Sequence, residues 1–278
     1  MASNPEYGVA VSLDVRMEAR DGTELSTDVY RPADPETGDP LDDTFPGLLY
    51  RTPYDKRLSG SVEEHGRYYA ERGYVVALQD VRGRFESEGS FSLLRNEPED
   101  GYDAVEWLAA HPACDGQVGT MGTSYMAWAQ NALATQDPPH LEAMFVNQGG
   151  ANAWEATLRH NGAAELRWLT WAFTLGGGFA REALADSDLQ RVFAGTDTRD
   201  VLGRDPLLAG QSPLRHLPDY EEWVFDLLGT GGEADLWDEP GLNFEAHYDE
   251  MADVPTVYSG GWYDSYAKAT VDNFAALA

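Results

Sequence analysis

Ser124 occupies a position in the sequence where a serine could act as a nucleophile. It follows a glycine by two residues in Gly122-Thr123-Ser124-Tyr125, and an apolar stretch precedes that glycine. This order predicts a buried strand, a sharp turn and a helix, which would hold the hydroxyl clear of the sheet. A serine hydroxyl attacks a carbonyl carbon once a neighbouring base takes its proton. The pattern predicts acyl-transfer chemistry; the alternative is that Ser124 is an ordinary helix N-cap.

Two other polar side chains follow predicted strands. Tyr54 comes directly after Pro53 in the loop beyond the strand at residues 46–50, and Asp264 follows the strand at residues 254–258. The loop after an early strand is where a second donor for a developing oxyanion is expected, beside the backbone N–H of Tyr125. The alternatives are a tyrosine that packs against its neighbours and an aspartate that caps the helix starting near Tyr266.

The elements that must position these residues alternate between strand and helix. Apolar strands at residues 46–50, 74–79, 116–122 and 141–146 are separated by helical periodicity, after an N-terminal hairpin around Asp21 and Gly22. Such alternation predicts an α/β fold with a mostly parallel sheet and helices on both faces. We expect residues 1–150 to form the first part of this core. Residues 151–250 contain no convincing strand and predict a helical cap insertion, after which residues 251–278 resume the core.

The charge balance excludes several classes of partner. The chain of 278 residues carries 19 basic and 48 acidic side chains, a formal net charge of -29, and its only lysines are Lys56 and Lys268. Such a surface repels nucleic acid and anionic lipid. The acids are dispersed along the chain, which favours adaptation to a salt-rich cytoplasm over an acidic surface aimed at a cationic partner.

Neither a cofactor nor a metal is predicted. The single cysteine, Cys114, permits no internal disulfide, and no apolar run is long enough for a membrane span. The glycines at residues 176–178 lack the Lys-Ser/Thr of a phosphate cradle, and the alternating acids around His247 fit solvated surface better than a metal site. We expect a cytoplasmic protein acting on a small molecule or short peptide.

Four motifs together resemble one family. They are residues 51–56 (Arg-Thr-Pro-Tyr-Asp-Lys), 80–89 (Asp-Val-Arg-Gly-Arg-Phe-Glu-Ser-Glu-Gly), 122–127 (Gly-Thr-Ser-Tyr-Met-Ala) and 261–264 (Gly-Trp-Tyr-Asp). In order and spacing they are similar to the X-prolyl dipeptidyl-peptidase and cocaine esterase (CocE/NonD) group of α/β-hydrolases, although Ala127 stands where that group has glycine. The resemblance implies an α/β-hydrolase fold and a serine hydrolase that cleaves an ester or amide bond. It also implies that the Tyr54 hydroxyl is an oxyanion donor and that Asp264 is the acid of a Ser-Asp-His triad.

The triad histidine is missing from its expected place. In the resembled family it follows the acid by a few tens of residues, whereas all six histidines of this chain precede Asp264: His65, His111, His140, His160, His216 and His247. The family also continues into a jelly-roll domain. We therefore expect this chain to be the N-terminal half of a longer enzyme. The alternatives are a catalytically inactive fragment and one half of a split enzyme that needs a separate C-terminal chain. The expected protein partner is that C-terminal half or a second copy of this chain in a homo-oligomer.

Four tryptophans and three charged residues could each have either a role in the site or a structural role. Trp154, Trp168, Trp171 and Trp262 could line a pocket for an apolar acyl group, although tryptophans of a helical segment commonly form its core. Asp80, Arg82 and Arg84 follow a strand end, and we expect them to form a structural ion pair that holds their loop.

The charge pattern predicts a salt-dependent stability. Because self-repulsion among dispersed carboxylates is screened by salt, the melting temperature should rise between dilute buffer and multimolar KCl. Circular dichroism melts across a KCl series measure this. Unchanged melting over the series would contradict salt adaptation.

Overall fold

A seven-stranded sheet forms the centre of the computed structural model, which describes residues 4–58, 62–203 and 208–278. The strands are β1 (Gly8–Glu18), β2 (Glu24–Ala33), β3 (Phe45–Thr52), β4 (Val75–Asp80), β5 (Cys114–Thr123), β6 (Leu141–Asn147), β7 (Arg159–His160), β8 (Ala163–Ala164) and β9 (Thr256–Ser259). The strand order in the sheet is β1-β2-β4-β3-β5-β6-β9, and β7 pairs with β8 in a separate hairpin.

The sheet is antiparallel at one edge and parallel elsewhere. Strand β1 pairs antiparallel with β2, and β2 pairs antiparallel with β4. All the pairings from β4 through β3, β5 and β6 to β9 are parallel. The predicted hairpin and the predicted mostly parallel sheet are therefore both confirmed.

Helices cover both faces of the sheet. The described helices are α1 (Val62–Ala70), α2 (Glu97–Ala109), α3 (Tyr125–Ala134), α4 (Ala153–Ala156), α5 (Leu166–Trp171), α6 (Arg181–Ala185), α7 (Ser187–Ala194), α8 (Thr198–Leu202), α9 (Pro218–Gly229) and α10 (Ala267–Leu277). Side chains of β4 alternate between two apolar clusters: Val75 and Ala77 pack with α2 and α3, and Val76 and Leu78 pack with α1. This alternation follows from the two-residue period of a strand and explains why all six residues of β4 are buried. Across the described ranges, no helix is both long and apolar enough to cross a membrane.

The chain between β6 and β9 is mainly helical and carries α4 to α9. It also contains a π-helix at Ala172–Gly176 and the short hairpin of β7 and β8, which the sequence pattern did not predict because each strand has only two residues. Its tryptophans, together with Phe173, Phe193 and Phe244, share one apolar cluster with Phe91, Tyr125 and Trp128. The helical segment (residues 151–250) therefore packs against the sheet-helix core next to the start of α3.

The predicted ion pair of the loop after β4 takes a different form from the one expected. Asp80 binds the buried ammonium of Lys56 at 2.6 Å instead of either arginine of its own loop. Arg82 binds Asp100 and Asp21, each at 2.6 Å. Arg84 lies within 4 Å of no carboxylate in the described ranges, so its predicted ion pair is wrong. The reason is burial: the fully buried Arg84 side chain turns away from Asp21 and Asp100, the acids that Arg82 reaches.

Candidate active site

The carboxyl ends of three parallel strands lie side by side. Thr123 at the end of β5 is in register with Asn147 of β6, and Asn147 is in register with Ser259 of β9. Ser124 follows the first of these residues directly, and the loop to Asp264 follows the last. Parallel strands bring such ends to one edge of the sheet, which is where ligands bind in open α/β folds.

The backbone of Ser124 is strained. Its φ is 64° and its ψ is -121°, a conformation that side-chain-bearing residues rarely adopt. The Ser124 N–H donates to the carbonyl of Asn147 at 3.0 Å, and the Ser124 carbonyl accepts from the N–H groups of Ala127 and Trp128. The turn is fixed on both sides, as expected for a serine that must project from the sheet.

Glycines make room for this turn. A Cβ added at Gly122 would lie 2.5 Å from the Cβ of Met126, so only glycine lets β5 and α3 approach this closely. Ala127 replaces the glycine of the resembled motif, and its methyl group faces Gly149. A Cβ at Gly149 would lie 3.1 Å from it. The missing side chain at Gly149 thus compensates for the extra one at Ala127.

Two phenols flank the Ser124 hydroxyl. The Ser124 side chain lies close enough to Tyr54, from the loop after β3, and to Tyr266, at the start of α10, to lower the pKa of each phenol. Burial raises the pKa of Tyr266 to about 12, so this phenol stays neutral at physiological pH. The sequence analysis missed Tyr266. The available signal was its position, two residues after Asp264 at the beginning of a predicted helix.

Tyr54 is held by a tryptophan of the helical segment. The indole N–H of Trp171 donates to the Tyr54 hydroxyl oxygen at 3.2 Å, and the two rings meet edge to face. Burial raises the pKa of Tyr54, and its hydrogen bonds to Trp171 and Ser124 act in the opposite direction. The phenol therefore keeps its proton near neutral pH and can donate a hydrogen bond to an oxyanion.

Tyr125 contributes its backbone to the site and its side chain to the core. As the first residue of α3, it has an N–H without a partner inside the helix. Its buried hydroxyl donates to Glu97 at 2.9 Å and accepts from the N–H of Leu94 at 3.3 Å. Glu97 in turn binds the buried guanidinium of Arg51. Burial raises the pKa of Tyr125 well above its ordinary value, and the neighbouring Glu97 raises it further.

The carboxyl group of Asp264 has an unsatisfied oxygen. Its Oδ2 is buried and has no hydrogen-bond partner in the described parts of the chain. The backbone of Asp264 closes the loop, donating to the carbonyl of Gly261 at 3.0 Å and accepting from the N–H of Ala267. A buried carboxylate oxygen without a donor is unfavourable, so this atom is suited to receive an N–H from another group.

None of the six histidines supplies that donor. His140 binds Glu106, His160 lies 3.7 Å from Glu165, and His247 binds Glu250. The remaining three contact other neighbours: His65 packs against Tyr50, His111 against Trp107, and His216 accepts from Arg215. Over the described ranges, no recorded contact joins a histidine to Ser124 or Asp264.

The four predicted pocket tryptophans separate into distinct environments. Trp171 reaches Tyr54, and Trp168 packs against Trp171 while its indole donates to the carbonyl of Thr157. Trp154 packs against Trp237 inside the helical segment with the two rings tilted by 57°. Trp262 is 91% exposed. The structure therefore brings Ser124, Tyr54 and Trp171 together, and leaves Trp154 and Trp262 without a recorded contact to them.

A known protein family matches almost the whole chain. The model of the X-Pro dipeptidyl-peptidase (S15) family matches residues 21–278. The chain belongs to the S15 family. Among its relatives, the cocaine esterase of Rhodococcus sp. (strain MB1 Bresler) is 29% identical over 287 residues, which cover 98% of this chain and 46% of that protein.

Solved structures confirm the α/β-hydrolase fold for this S15 family member. An α-amino acid ester hydrolase superimposes with a TM-score of 0.67 at 21% identity, over 100% of this chain and 46% of that one. A CocE/NonD family hydrolase from Staphylococcus aureus gives 0.61 at 19% identity, over 97% of this chain and 47% of that one. The chain thus spans about half the length of these relatives.

The strain at Ser124 predicts an inverted stability order for two variants. Ser124→Gly should be more stable than Ser124→Ala by about 1 kcal/mol or more, because glycine tolerates positive φ and alanine does not. Exposed Glu222 in α9 is the matched control, where Ala should exceed Gly by up to about 1 kcal/mol. Urea unfolding measures both pairs. Equal stability of the two Ser124 variants would contradict a strained turn.

Proposed function

We propose that this chain carries the nucleophile and the acid of a serine hydrolase that cleaves ester or amide bonds, including acyl esters or X-Pro peptide bonds. Ser124 would attack the carbonyl carbon and give up its proton to a base; the C–O or C–N bond of the substrate then breaks, and the alcohol or amine leaves with that proton. Water would hydrolyse the resulting acyl-serine ester, releasing the carboxylic acid and Ser124. The observation that carries the proposal is the strained Ser124 turn, whose hydroxyl lies between the phenols of Tyr54 and Tyr266.

The oxyanion of the tetrahedral intermediate would be held by two donors. The N–H of Tyr125 is the free donor at the start of α3, and the hydroxyl of Tyr54 is the second. Both are fixed before substrate arrives, Tyr125 through Glu97 and Tyr54 through Trp171. Preorganised donors lower the barrier because they need no reorientation during the reaction.

The substrate would enter between the strand ends and the helical segment at residues 151–250, which we propose acts as a cap. Trp168 and Trp171 form an apolar aromatic wall beside Tyr54 and suit an apolar acyl group. Trp154 and Trp262 are weaker candidates for this wall, given their separate environments. The reaction proposed requires no cofactor.

The base would come from an imidazole that docks on Asp264. In a triad the acid accepts the imidazole N–H, orients the ring and stabilises its protonated form. The buried, unsatisfied Oδ2 of Asp264 supports this assignment. We propose that a further polypeptide segment brings the imidazole, since the six histidines have other contacts.

A second candidate role follows from the exposed face of β9 and α10. Strand β9 is the edge of the sheet, and Val257, Val271 and Phe274 are each more than half exposed there. A cavity of about 330 Å³ adjoins them, lined in part by Phe274 and Leu277. An open apolar edge of this kind favours strand addition. This chain would then be one half of a split enzyme, inactive until a C-terminal half binds; a homo-oligomer is the other possibility for that face.

The acidic surface indicates the salt conditions in which the protein works. We propose that the protein works in a salt-rich cytoplasm, where screening offsets the repulsion of a chain with a net charge of -29. The same charge disfavours nucleic acid and anionic membranes as partners.

Labelling of Ser124 by a fluorophosphonate probe tests the nucleophile. We expect slow labelling of the chain alone and labelling at least about tenfold faster with millimolar imidazole, because the free base can occupy the place beside Asp264. Peptide mass spectrometry locates the label. Ser124→Ala is the blank, and Asp264→Asn should abolish the imidazole effect.

The outcomes of this labelling separate the two roles. Labelling that stays slow with imidazole, but rises when the polypeptide encoded after the codon for Ala278 is added, supports the split enzyme. No labelling of Ser124 under any of these conditions would refute its role as nucleophile.

Tyr54→Phe tests the second oxyanion donor. Loss of one donor costs about 3 to 4 kcal/mol, so imidazole-supported hydrolysis of a p-nitrophenyl ester should fall about 10²- to 10³-fold with the fold intact. Tyr50→Phe, a buried tyrosine of the preceding strand, is the control and should keep near-normal turnover. A decrease of less than about threefold for Tyr54→Phe would indicate a packing role.

A further inference from the structure

Arg84 is a buried cation without an acidic partner. Its side chain is 0% exposed, in a chain with far more acids than bases, and no carboxylate of the described ranges lies within ion-pair distance. All four of its acceptors are neutral: the carbonyls of Pro53, Leu175 and Gly176 and the hydroxyl of Tyr220. A buried charge is tolerated only while such acceptors stay in place, so the position of Arg84 depends on the elements that carry them.

Three of these contacts join Arg84 to the helical segment. It donates to Leu175, Gly176 and Tyr220, each at 2.7 Å. The two carbonyls belong to the end of the π-helix Ala172–Gly176, where unpaired carbonyls concentrate negative partial charge and attract a cation. π-Helical turns are rare and are frequently found at functional sites. The backbone of Arg84 also forms a bridge with Ala180.

The fourth contact joins Arg84 to the loop of the oxyanion donor. Its Nε donates to the carbonyl of Pro53 at 2.9 Å, one residue before Tyr54. At the far end of the Tyr54 side chain, the hydroxyl accepts a hydrogen bond from the indole of Trp171, the residue directly before the π-helix. Two consecutive elements of the helical segment therefore hold the Tyr54 loop, the π-helix through Arg84 and the end of α5 through Trp171.

We propose that Arg84 is a positioning residue that couples the π-helix to the Tyr54 loop, so that the wall of the site and the oxyanion donor move as one unit. Displacement of the helical segment would then withdraw the Tyr54 hydroxyl, and its return would aim that hydroxyl again. The inference rests on the proposed role of Tyr54, but the coupling itself is independent of catalysis.

The coupling is tested on the substrate-free chain by amide hydrogen exchange and by ¹⁹F NMR of 5-fluorotryptophan at Trp171, assigned with Trp171→Phe. In Arg84→Gln the amides of residues 54–56 and 172–180 should both exchange at least tenfold faster, because losing the hydrogen bonds of a charged donor makes local opening easier. The Trp171 resonance should shift or broaden. Arg84→Lys keeps the charge but cannot span all the acceptors, so we expect a smaller change in the same two segments.

The matched control is Arg95→Gln. Arg95 also links the core to the helical segment, but through exposed bonds to Glu239. Both readouts should stay as in the parent chain. Loosening of only one of the two segments in an Arg84 variant would overturn the coupling, as would exchange that rises equally in β5 and β6. If Arg84→Gln does not fold, Arg84→Lys carries the same test. Failure of Ser124 to react with a probe would leave these readouts unaffected.

Discussion

The turn at Ser124 is the constraint on which the rest of the site depends. A backbone with φ of 64° is held because β5 and α3 meet where Gly122 has no side chain, and because Asn147 accepts the Ser124 N–H. The strain is balanced by the sheet around it, as is usual for residues that must project from a fold. From this one position the hydroxyl reaches Tyr54 and Tyr266, so the direction of β5 determines which side chains can take part in chemistry.

Buried polar contacts hold the surrounding parts in place. Glu97 fixes the side chain of Tyr125, Trp171 of the helical segment fixes the Tyr54 hydroxyl, and Arg84 of the loop after β4 fixes the carbonyl of Pro53. Each contact is made by a group that is costly to bury, and each becomes favourable only when its partner is correctly placed. In contrast, the buried Oδ2 of Asp264 has no hydrogen-bond donor within the described parts of the chain.

Local patterns in the sequence predicted the sheet, the turn at Ser124 and the place of Asp264, because strand period, glycine spacing and loop position depend on near neighbours. Contacts between distant segments were not predictable in the same way. Tyr266 meets Ser124 only because β9 lies beside β6, and Lys56 finds Asp80 across neighbouring strands. The π-helix and the two-residue hairpin have no periodic signal. Arg84 was misjudged because its own loop contains an acid, while burial and distant carbonyls decide its partners.

The central claim is that Ser124 becomes acylated once an imidazole is available beside Asp264. The most direct measurement is acid-quench peptide mass spectrometry of the chain after incubation with p-nitrophenyl acetate and imidazole. The account predicts an acetyl group on Ser124, and much less of it in Asp264→Asn. Acetylation confined to other residues, such as the neighbouring Ser265 or the exposed Lys268, would contradict it.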